Sequence, residues 1–267
     1  MVAACGTSQP PPTTVAEVGR FTAEEDAPKG YLSGAAMLDS LALLPAPPVK
    51  GSVAQAADEA TYHLLSSPRA GARWEMAAKD AELRFPAAAS TFSCAVGVNI
   101  SEKNTPHLNM LLRRMVVDAG FAPHKAKTHY QRVRPFVQFN TSTCFPRDDD
   151  FLRKDGSYPS GHSAIGWAWA LILTEMAPDR ADALLQRGRS FSQSRAVCGA
   201  HWMSDVEAGR LIGSAVVARL HTNAVFNEQL ALAKKEVAQA REKGWVPDAA
   251  ICSAEKNALS TTVLQAP

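Results

Sequence analysis

Residues 156–175 read GSYPSGHSAIGWAWALILTE, and two kinds of sequence meet in this stretch. Its first positions are rich in glycine, serine and proline, whereas Ala164–Leu173 is the longest run of apolar-type residues in the chain. That run covers ten positions and stops at Thr174 and Glu175, while a membrane-spanning helix needs about 20. The stretch therefore predicts a helix that begins near Ser163, inside a soluble protein body.

The composition supports a folded protein of this kind. Of the 267 residues, 46% are hydrophobic and 20% are charged, which excludes disordered, collagen-like and coiled-coil chains. Twenty-eight Lys and Arg residues against 26 Asp and Glu residues leave a formal net charge of +2. Because this charge is too small to indicate a nucleic-acid surface, we expect no nucleic-acid partner and expect any bound anion to be held locally.

Helical periodicity extends over most of the chain, and alternating β patterns are scarce. Thr105 and Pro106 predict a helix start with Thr105 as the cap, and Gly244 followed by Pro247 predicts a helix end. We therefore predict an all-α fold, a single compact multi-helix domain. Its core stripes have the spacing of one helical face, and they are Trp74-Ala77-Ala78-Ala81, Leu108-Leu111-Leu112-Met115 and Leu230-Ala233-Val237-Ala240.

Two proline-rich breaks interrupt the helical pattern. Residues 45–48 separate an early helix around Ala35–Leu44 from one that starts near Ser52, and residues 135–161 form a long irregular stretch. Long ordered loops in compact domains are often functional. We divide the chain into a flexible N-terminal segment (1–30), a catalytic domain (31–244) and a C-terminal tail (245–267).

The amino terminus suggests export. Val2-Ala3-Ala4-Cys5 resembles the end of a bacterial lipoprotein signal, although no basic and hydrophobic signal segment precedes it. An ordinary alanine-rich start is the alternative. Thr7–Thr14, which contains Pro10, Pro11 and Pro12, predicts a tether that does not pack. Cys5 is therefore a candidate lipidation site, and we expect a periplasmic or exported protein that is tethered to the outer membrane if Cys5 is lipidated.

The cysteine spacing excludes a zinc ribbon, because no two cysteines are separated by the two to four residues that such sites use. If Cys5 is removed or lipidated, the other four allow three disulfide pairings, which would suit an oxidising compartment. Free buried thiols are the alternative. The five residues are Cys5, Cys94, Cys144, Cys198 and Cys252.

Cationic residues and a glycine turn predict a phosphate-binding cradle. Lys127 and Arg134 are seven positions apart, which in a helix would place them about two turns apart on one face. Arg195 would reach them from another helix, and guanidinium groups match phosphate oxygens in pairs. Ser160 and Gly161 precede a helix whose N-terminus favours negative charge.

A pair of histidines supplies the candidate catalytic groups. His201 and Asp205 are four positions apart, so one helical turn would let the carboxylate accept from one ring nitrogen and leave the other as a nucleophile. His162 follows Gly161 and would act as the general acid for the departing alkoxide. The other histidines lack such neighbours and are interpreted as structural; they are His63, His107, His124, His129 and His221.

These clusters resemble a known three-part signature. Lys127-x6-Arg134-Pro135, Pro159-Ser160-Gly161-His162 and Ser194-Arg195-x5-His201-x3-Asp205 are similar to the signature of the type 2 phosphatidic acid phosphatase (PAP2) superfamily, which also includes vanadium haloperoxidases. The longer strings GSYPSGH (156–162) and CGAHW (198–202) look like class A bacterial nonspecific acid phosphatases. The resemblance runs from about Tyr31 through Lys243.

The resemblance implies an all-α, exported and commonly dimeric acid phosphatase that hydrolyses small-molecule phosphate monoesters without a metal or other cofactor. His201 would attack phosphorus and form a phosphohistidine, Asp205 would orient it, and His162 would be the acid. Some members also transfer the phosphoryl group to alcohols such as nucleosides. The matching phosphate-binding positions are Lys127, Arg134, Ser160, Gly161 and Arg195.

The sequence also departs from the family pattern. Ser163 stands where threonine is usual, Met203 where glutamine is common, and Ala200 where an aromatic residue often precedes the nucleophile. We expect Ala200 to widen the leaving-group side of the site.

Three other interpretations stay open at this point. In a vanadium haloperoxidase, vanadate would occupy the cradle with His201 as its ligand, whereas a phosphatase would be inhibited by vanadate and phosphate analogues. A metal hydrolase could use His201 and Asp205, or the acidic run Asp148–Asp150, which we interpret as a solvated loop. A phosphate-binding protein without catalysis would not need both His162 and an Asp-oriented His201.

Overall fold

The computed structural model describes residues 9–22, 27–66 and 69–260, and these residues are mainly helical. They contain no β-strand, only an isolated bridge between Arg20 and Pro28, which confirms the all-α prediction. None of the helices described is both long and apolar enough to cross a membrane. The helices are α1 (Val15–Val18), α2 (Ser40–Leu43), α3 (Val53–Leu65), α4 (Ala72–Asp80), α5 (Ser93–Val96), α6 (Pro106–Phe121), α7 (His124–Tyr130), α8 (Pro135–Gln138), α9 (Asp149–Leu152), α10 (Gly161–Met176), α11 (Ala181–Val197), α12 (Met203–Leu220), α13 (Ala224–Glu242) and α14 (Ala249–Ser260).

Helix α10, formed by the apolar run after the Ser-Gly-His turn, lies at the centre of the fold. It packs against α6, α11, α12 and α13. Ile165, Trp169 and Leu173 belong to the main hydrophobic core, and Trp169 Nε1 donates to the carbonyl oxygen of Leu112 at 3.1 Å. Because α10 is surrounded on several sides, its N-terminus is fixed relative to the loops that carry the site.

Two glycines allow α12 to lie directly on α10. A Cβ atom at Gly213 would lie 2.5 Å from the carbonyl oxygen of Ala164, and one at Gly209 would collide with the carbonyl oxygen of Ser160. Backbone oxygens of a packed helix cannot move aside as a flexible side chain can. The close approach of α12 therefore sets the position of Ser160 at the start of α10.

The predicted core stripes on α6 and α13 are buried. Helix α6 starts at Pro106 with Thr105 at the N-cap position, as predicted, but the side chain of Thr105 makes no capping hydrogen bond. Its Oγ1 donates to the carbonyl oxygen of Ser101 at 3.0 Å. Glu236 on α13 caps the helix instead, accepting from the backbone N–H groups of His107 at 3.0 Å and Leu108 at 2.9 Å. Packing of α13 against α6 brings this carboxylate to the exposed N–H groups.

The early helix around 35–44 is also different from the prediction. A single 3₁₀ turn, Gly34–Ala36, is followed by extended backbone at Met37 and then by α2. The prediction of a helix near Ser52 is confirmed, since Ser52 caps α3 by accepting from Gln55 N at 3.1 Å.

The N-terminal tether and the C-terminal tail, which were predicted to lie outside the catalytic domain, both contain packed residues. Pro11 is buried and Thr14 caps α1, so the expectation that the tether does not pack is wrong for this part of it. Helix α14 packs against α4, within the residues assigned to the tail. Cys5 lies outside the described residues.

The other four cysteines form two of the allowed disulfides. Cys94 is bonded to Cys252 and Cys144 to Cys198. The first attaches α14 to α5, and the second attaches the long loop to the end of α11. The alternative of free buried thiols is therefore wrong.

Gly209→Ala tests the contact between α10 and α12. We expect the added methyl group to lower the free energy of unfolding by about 1–3 kcal/mol, because α12 and Ser160 must separate. Denaturant unfolding of the purified variants measures this effect. Leu211→Ala, at an exposed position of α12, is the control; equal stability of the two variants would contradict the prediction.

Candidate active site

Two of the predicted cations meet at one carboxylate. Helix α7 carries Lys127 and ends before Gln131, whose left-handed conformation (φ 43°) turns the chain. A continuous helix from Lys127 to Arg134 is therefore wrong, and Arg134 stands at the N-terminus of α8. The turn still brings the two together: Lys127 Nζ lies 2.9 Å and Arg134 Nη2 2.8 Å from Oδ2 of Asp155. Both also donate to the carbonyl oxygen of Gly156.

The third cation, Arg195, comes from α11 and has two unused donors. Its side chain is buried, and its Nε and Nη1 atoms have no hydrogen-bond partner among the described residues. An unpaired buried N–H group costs about 1–3 kcal/mol. Arg195 is close enough to His162 and His201 to lower the pKa of both rings. An oxyanion bound between these residues would supply the missing acceptors.

The N-terminus of α10 lies at the same site. Ser160 caps the helix by accepting from Ser163 N at 3.2 Å, and α10 begins at Gly161, slightly earlier than predicted. The first N–H groups of a helix have no partner within it and favour negative charge. Ser160 N donates to the carbonyl oxygen of Asp205 at 3.0 Å, which joins this helix end to the start of α12.

The nucleophile candidate, His201, lies just before α12 and is 2% exposed. Its Nδ1 is 3.3 Å from Oδ2 of Asp205, and its Nε2 is 2.9 Å from Nη1 of Arg134. A guanidinium group has no lone pair, so Nε2 must be the acceptor in the second contact. The proton of the neutral ring is therefore on Nδ1 and directed at Asp205, which leaves the lone pair of Nε2 on the side of Arg134.

The acid candidate, His162, lies between this buried group and open space. Its Nε2 is 3.0 Å from the carbonyl oxygen of Ala81; since a carbonyl only accepts, Nε2 carries a proton and Nδ1 is the atom left for proton exchange. A cavity of about 490 Å³ opens beside it, with apolar walls from Leu83, Phe85 and Val116. His162 lines this cavity and His201 does not, so the cavity approaches the two histidines from the side of the acid.

Burial and the surrounding cations keep both imidazoles neutral. Burial, then the charge of Arg195, holds the pKa of His162 well below its usual value. Burial, then Arg134, does the same to the pKa of His201. Burial also lowers the pKa of Lys127 to about 8, so this lysine remains charged at acidic pH. A phosphate ester entering the site would oppose these shifts on the histidines, because its negative charge stabilises their protonated forms.

Two expectations about neighbouring residues are wrong. Ala200 is fully buried in a small apolar cluster with Phe136, so it does not widen the leaving-group side. Asp149 is buried and accepts from Thr143 Oγ1 at 2.6 Å, so the acidic run is not simply a solvated loop. In the described ranges, no three His, Cys, Asp or Glu side chains are grouped as a metal site requires.

Comparison with known proteins agrees with the three-part signature. The model of the PAP2 superfamily matches residues 108–228, which include every cradle and imidazole residue named above. A non-specific acid phosphatase of Providencia stuartii is 47% identical over 213 residues, 79% of this chain and 86% of its own length. The chain belongs to the PAP2 superfamily. The family resemblance predicted from the sequence is thereby confirmed.

Other relatives of this PAP2 chain have similar names. An acid phosphatase of Zymomonas mobilis is 41% identical over 220 residues, with 82% of this chain and 83% of the relative covered. A non-specific acid phosphatase of Salmonella typhimurium is 42% identical over 221 residues, covering 82% and 88%.

The PAP2 site contains two charged residues that the sequence reasoning did not identify. Asp155 pairs with Lys127 and Arg134, and Arg132 pairs with Asp205 at 2.6 Å. Asp155 directly precedes the GSYPSGH string (156–162). This position is a weak indication in the sequence that Asp155 belongs to the site. Nothing in the spacing connects Arg132 to Asp205, because 73 positions separate them.

Asp155→Asn tests whether this carboxylate competes with phosphate for the two cations. The amide keeps an acceptor oxygen but removes the charge, so we expect the Ki of inorganic phosphate to fall by about tenfold, equivalent to about 1.4 kcal/mol. Inhibition should be measured at acidic pH, where Lys127 is protonated. Asp150→Asn, at an exposed position, is the control, and a rise in Ki for Asp155→Asn would mean that Asp155 instead holds the cations in place.

Proposed function

We propose that this PAP2 protein is an acid phosphatase that hydrolyses phosphate monoesters through a phosphohistidine intermediate on His201. The observation that carries the proposal is the pair of buried donors on Arg195 that have no partner in the described part of the chain, beside two neutral imidazoles. The names of the relatives support the same activity. They favour it over the haloperoxidase and phosphate-binding alternatives.

Binding would complete the hydrogen bonds of the cradle. The non-bridging phosphate oxygens would accept from Arg195, from Arg134 and Lys127, and from the N–H groups at the start of α10. As phosphate approaches, Arg134 would give up its contact with Nε2 of His201, and this releases the lone pair for attack. Preorganised donors of this kind stabilise the charge that develops on the transferring group.

The two histidines would then divide the chemistry. Nε2 of His201 forms the bond to phosphorus while the bond to the ester oxygen breaks, and His162 gives a proton to that oxygen. Asp205 stabilises the positive charge that the ring of His201 acquires. In the second step His162 removes a proton from water, which attacks the phosphohistidine and releases inorganic phosphate.

The leaving group would occupy the cavity beside His162. Its apolar walls, Leu83, Phe85 and Val116, suit organic leaving groups, and Arg84 also lines it. An alcohol bound there in the second step could accept the phosphoryl group in place of water. We therefore include transfer to alcohols such as nucleosides in the proposal, as a minor reaction whose share depends on how well the acceptor fills the cavity.

The setting of the enzyme is part of the proposal. The disulfides Cys94–Cys252 and Cys144–Cys198 support an oxidising compartment such as the periplasm, with Cys5 as the candidate membrane tether. The family resemblance supports a homodimer, which light scattering of the purified protein would test. We also propose that hydrolysis is independent of metal ions, so activity should survive dialysis against EDTA.

Substitution of each histidine distinguishes the two roles. We expect His201→Ala to abolish turnover of all substrates, because no nucleophile remains. His162→Ala should reduce turnover of alkyl phosphates by about 100- to 10,000-fold but affect p-nitrophenyl phosphate much less, since its leaving group needs no proton. Steady-state kinetics on both substrates measure this difference. Equal losses on the two would remove the acid role from His162.

The pH dependence of activity should reveal the lowered pKa of His162, the proposed general acid. Activity on alkyl phosphates falls as pH rises through the pKa of His162, because only the protonated ring can donate. That pKa is depressed in the free enzyme by burial and Arg195, and a bound anion raises it. We expect the alkaline limb of kcat/KM, which reports the free enzyme, to lie at lower pH than that of kcat. Coincident limbs in the wild-type profiles would contradict this.

A further inference from the structure

The carboxylate behind the nucleophile is itself held by a buried arginine. Nη1 of Arg132 donates to Oδ1 of Asp205 at 2.6 Å, and both side chains are almost fully buried. The other oxygen, Oδ2, faces Nδ1 of His201 at 3.3 Å and accepts from Trp202 N at 2.9 Å. The two oxygens of Asp205 are therefore divided between Arg132 on one side and the nucleophile on the other.

Arg132 is in turn held from α3. Its Nη2 lies 2.8 Å from Oδ2 of Asp58 and 2.7 Å from Oε1 of Gln55. Because the guanidinium group is planar, contacts at both of its terminal nitrogens fix its orientation. The guanidinium carbon lies over the ring of Trp202, 5.5 Å from the ring centroid, which adds a cation–π contact.

Asp58 also fastens the start of the helix that carries Asp205. Its Oδ1 accepts from Ser204 N at 2.9 Å, and its Oδ2 accepts from Ser204 Oγ at 2.5 Å. Arg132 donates to the same hydroxyl at 2.7 Å. The network thus joins α3, the segment before α8 and the first turn of α12 at one buried point.

We propose that Arg132, through its ion pair with Asp58, is a positioning residue that holds Asp205 as a fixed carboxylate anion against Nδ1 of His201. The inference rests on the proposed function, in which attack by Nε2 leaves a positive charge on the ring. Only an ionised Asp205 can stabilise that charge. Neither Arg132 nor Asp58 needs to touch the substrate for this role.

At the acidic pH at which the proposed enzyme works, Asp205 needs a positively charged partner such as Arg132 to stay ionised. Burial raises the pKa of Asp205, and Arg132 is the strongest opposing influence, ahead of the N–H of Trp202. Without Arg132, Asp205 would take up a proton at higher pH and lose its charge where an acid phosphatase operates. The other charged or titratable groups that act on Asp205 or contact it are Arg134, Lys127, Tyr158 and His201.

Arg132→Gln is the direct test, made with the full chain on p-nitrophenyl phosphate. We expect kcat to fall by about 10- to 100-fold, as is typical when an outer partner of a site residue is removed. The acid limb of the kcat profile should move to higher pH, since activity is lost as Asp205 becomes protonated. KM and the Ki of inorganic phosphate should stay close to wild type, because Lys127, Arg134 and Arg195 remain.

Two further variants separate charge from structure. Arg132→Lys keeps the positive charge and should recover part of kcat and return the acid limb toward the wild-type position. Asp58→Asn removes a carboxylate that competes for Arg132, so the acid limb should move to lower pH even if kcat falls through weaker anchoring of Ser204. Arg219→Gln, on the exposed side of α12, is the matched control and should behave as wild type.

The outcomes are distinct from those of the proposed function. An inactive wild-type protein would contradict the phosphatase activity itself. Given an active wild type, the positioning role is overturned if Arg132→Gln leaves kcat unchanged, or if kcat falls while the acid limb stays in place and Arg132→Lys recovers nothing. A rise in phosphate Ki equal to the fall in kcat would also overturn it, since this would indicate collapse of the cradle. Thermal unfolding of each variant shows whether it is folded.

Discussion

Positive charge inside the protein is the constraint on which this structure depends. Lys127, Arg134 and Arg195 are buried together, and in the described part of the chain only Asp155 forms an ion pair with any of them. Removing a cation from water costs several kcal/mol unless it is paired. The helices that surround α10 must therefore supply enough packing to stabilise these buried cations.

Charges alternate from the cradle into the interior. Behind the cations lies the neutral ring of His201, then the carboxylate of Asp205, then Arg132, and finally Asp58. Asp205, Arg132 and Asp58 each have a neighbour of opposite charge, which lowers the cost of burying these three side chains. The ring of His201 is the neutral member of the series. In the proposed mechanism this ring becomes charged when it attacks phosphorus, and Asp205 would already be in place to stabilise the new charge.

A second buried network contacts α11, the helix that carries Arg195. Asp80 accepts from Ser194, the neighbour of Arg195, and pairs with Arg187. Arg187 also pairs with Glu255 on α14, the helix that the Cys94–Cys252 disulfide attaches to the domain. The carboxy-terminal segment thus contributes a charged partner to the helix that carries Arg195. Helix α14 is therefore part of the folded domain.

The sequence by itself determined the helical class and the core stripes of α6 and α13, and it predicted the residues of the cradle and the imidazole pair. These follow from periodicity and from short motifs, because apolar spacing and side-chain chemistry are local properties. Only the tertiary structure decided how Lys127 and Arg134 converge, since a left-handed residue and a turn do this where a helix was expected. Only the tertiary structure, too, revealed Glu236 as the cap of α6 and Arg132 as the partner of Asp205. Such contacts join residues far apart in the chain, and packing of whole helices sets their distances, which no local spacing encodes.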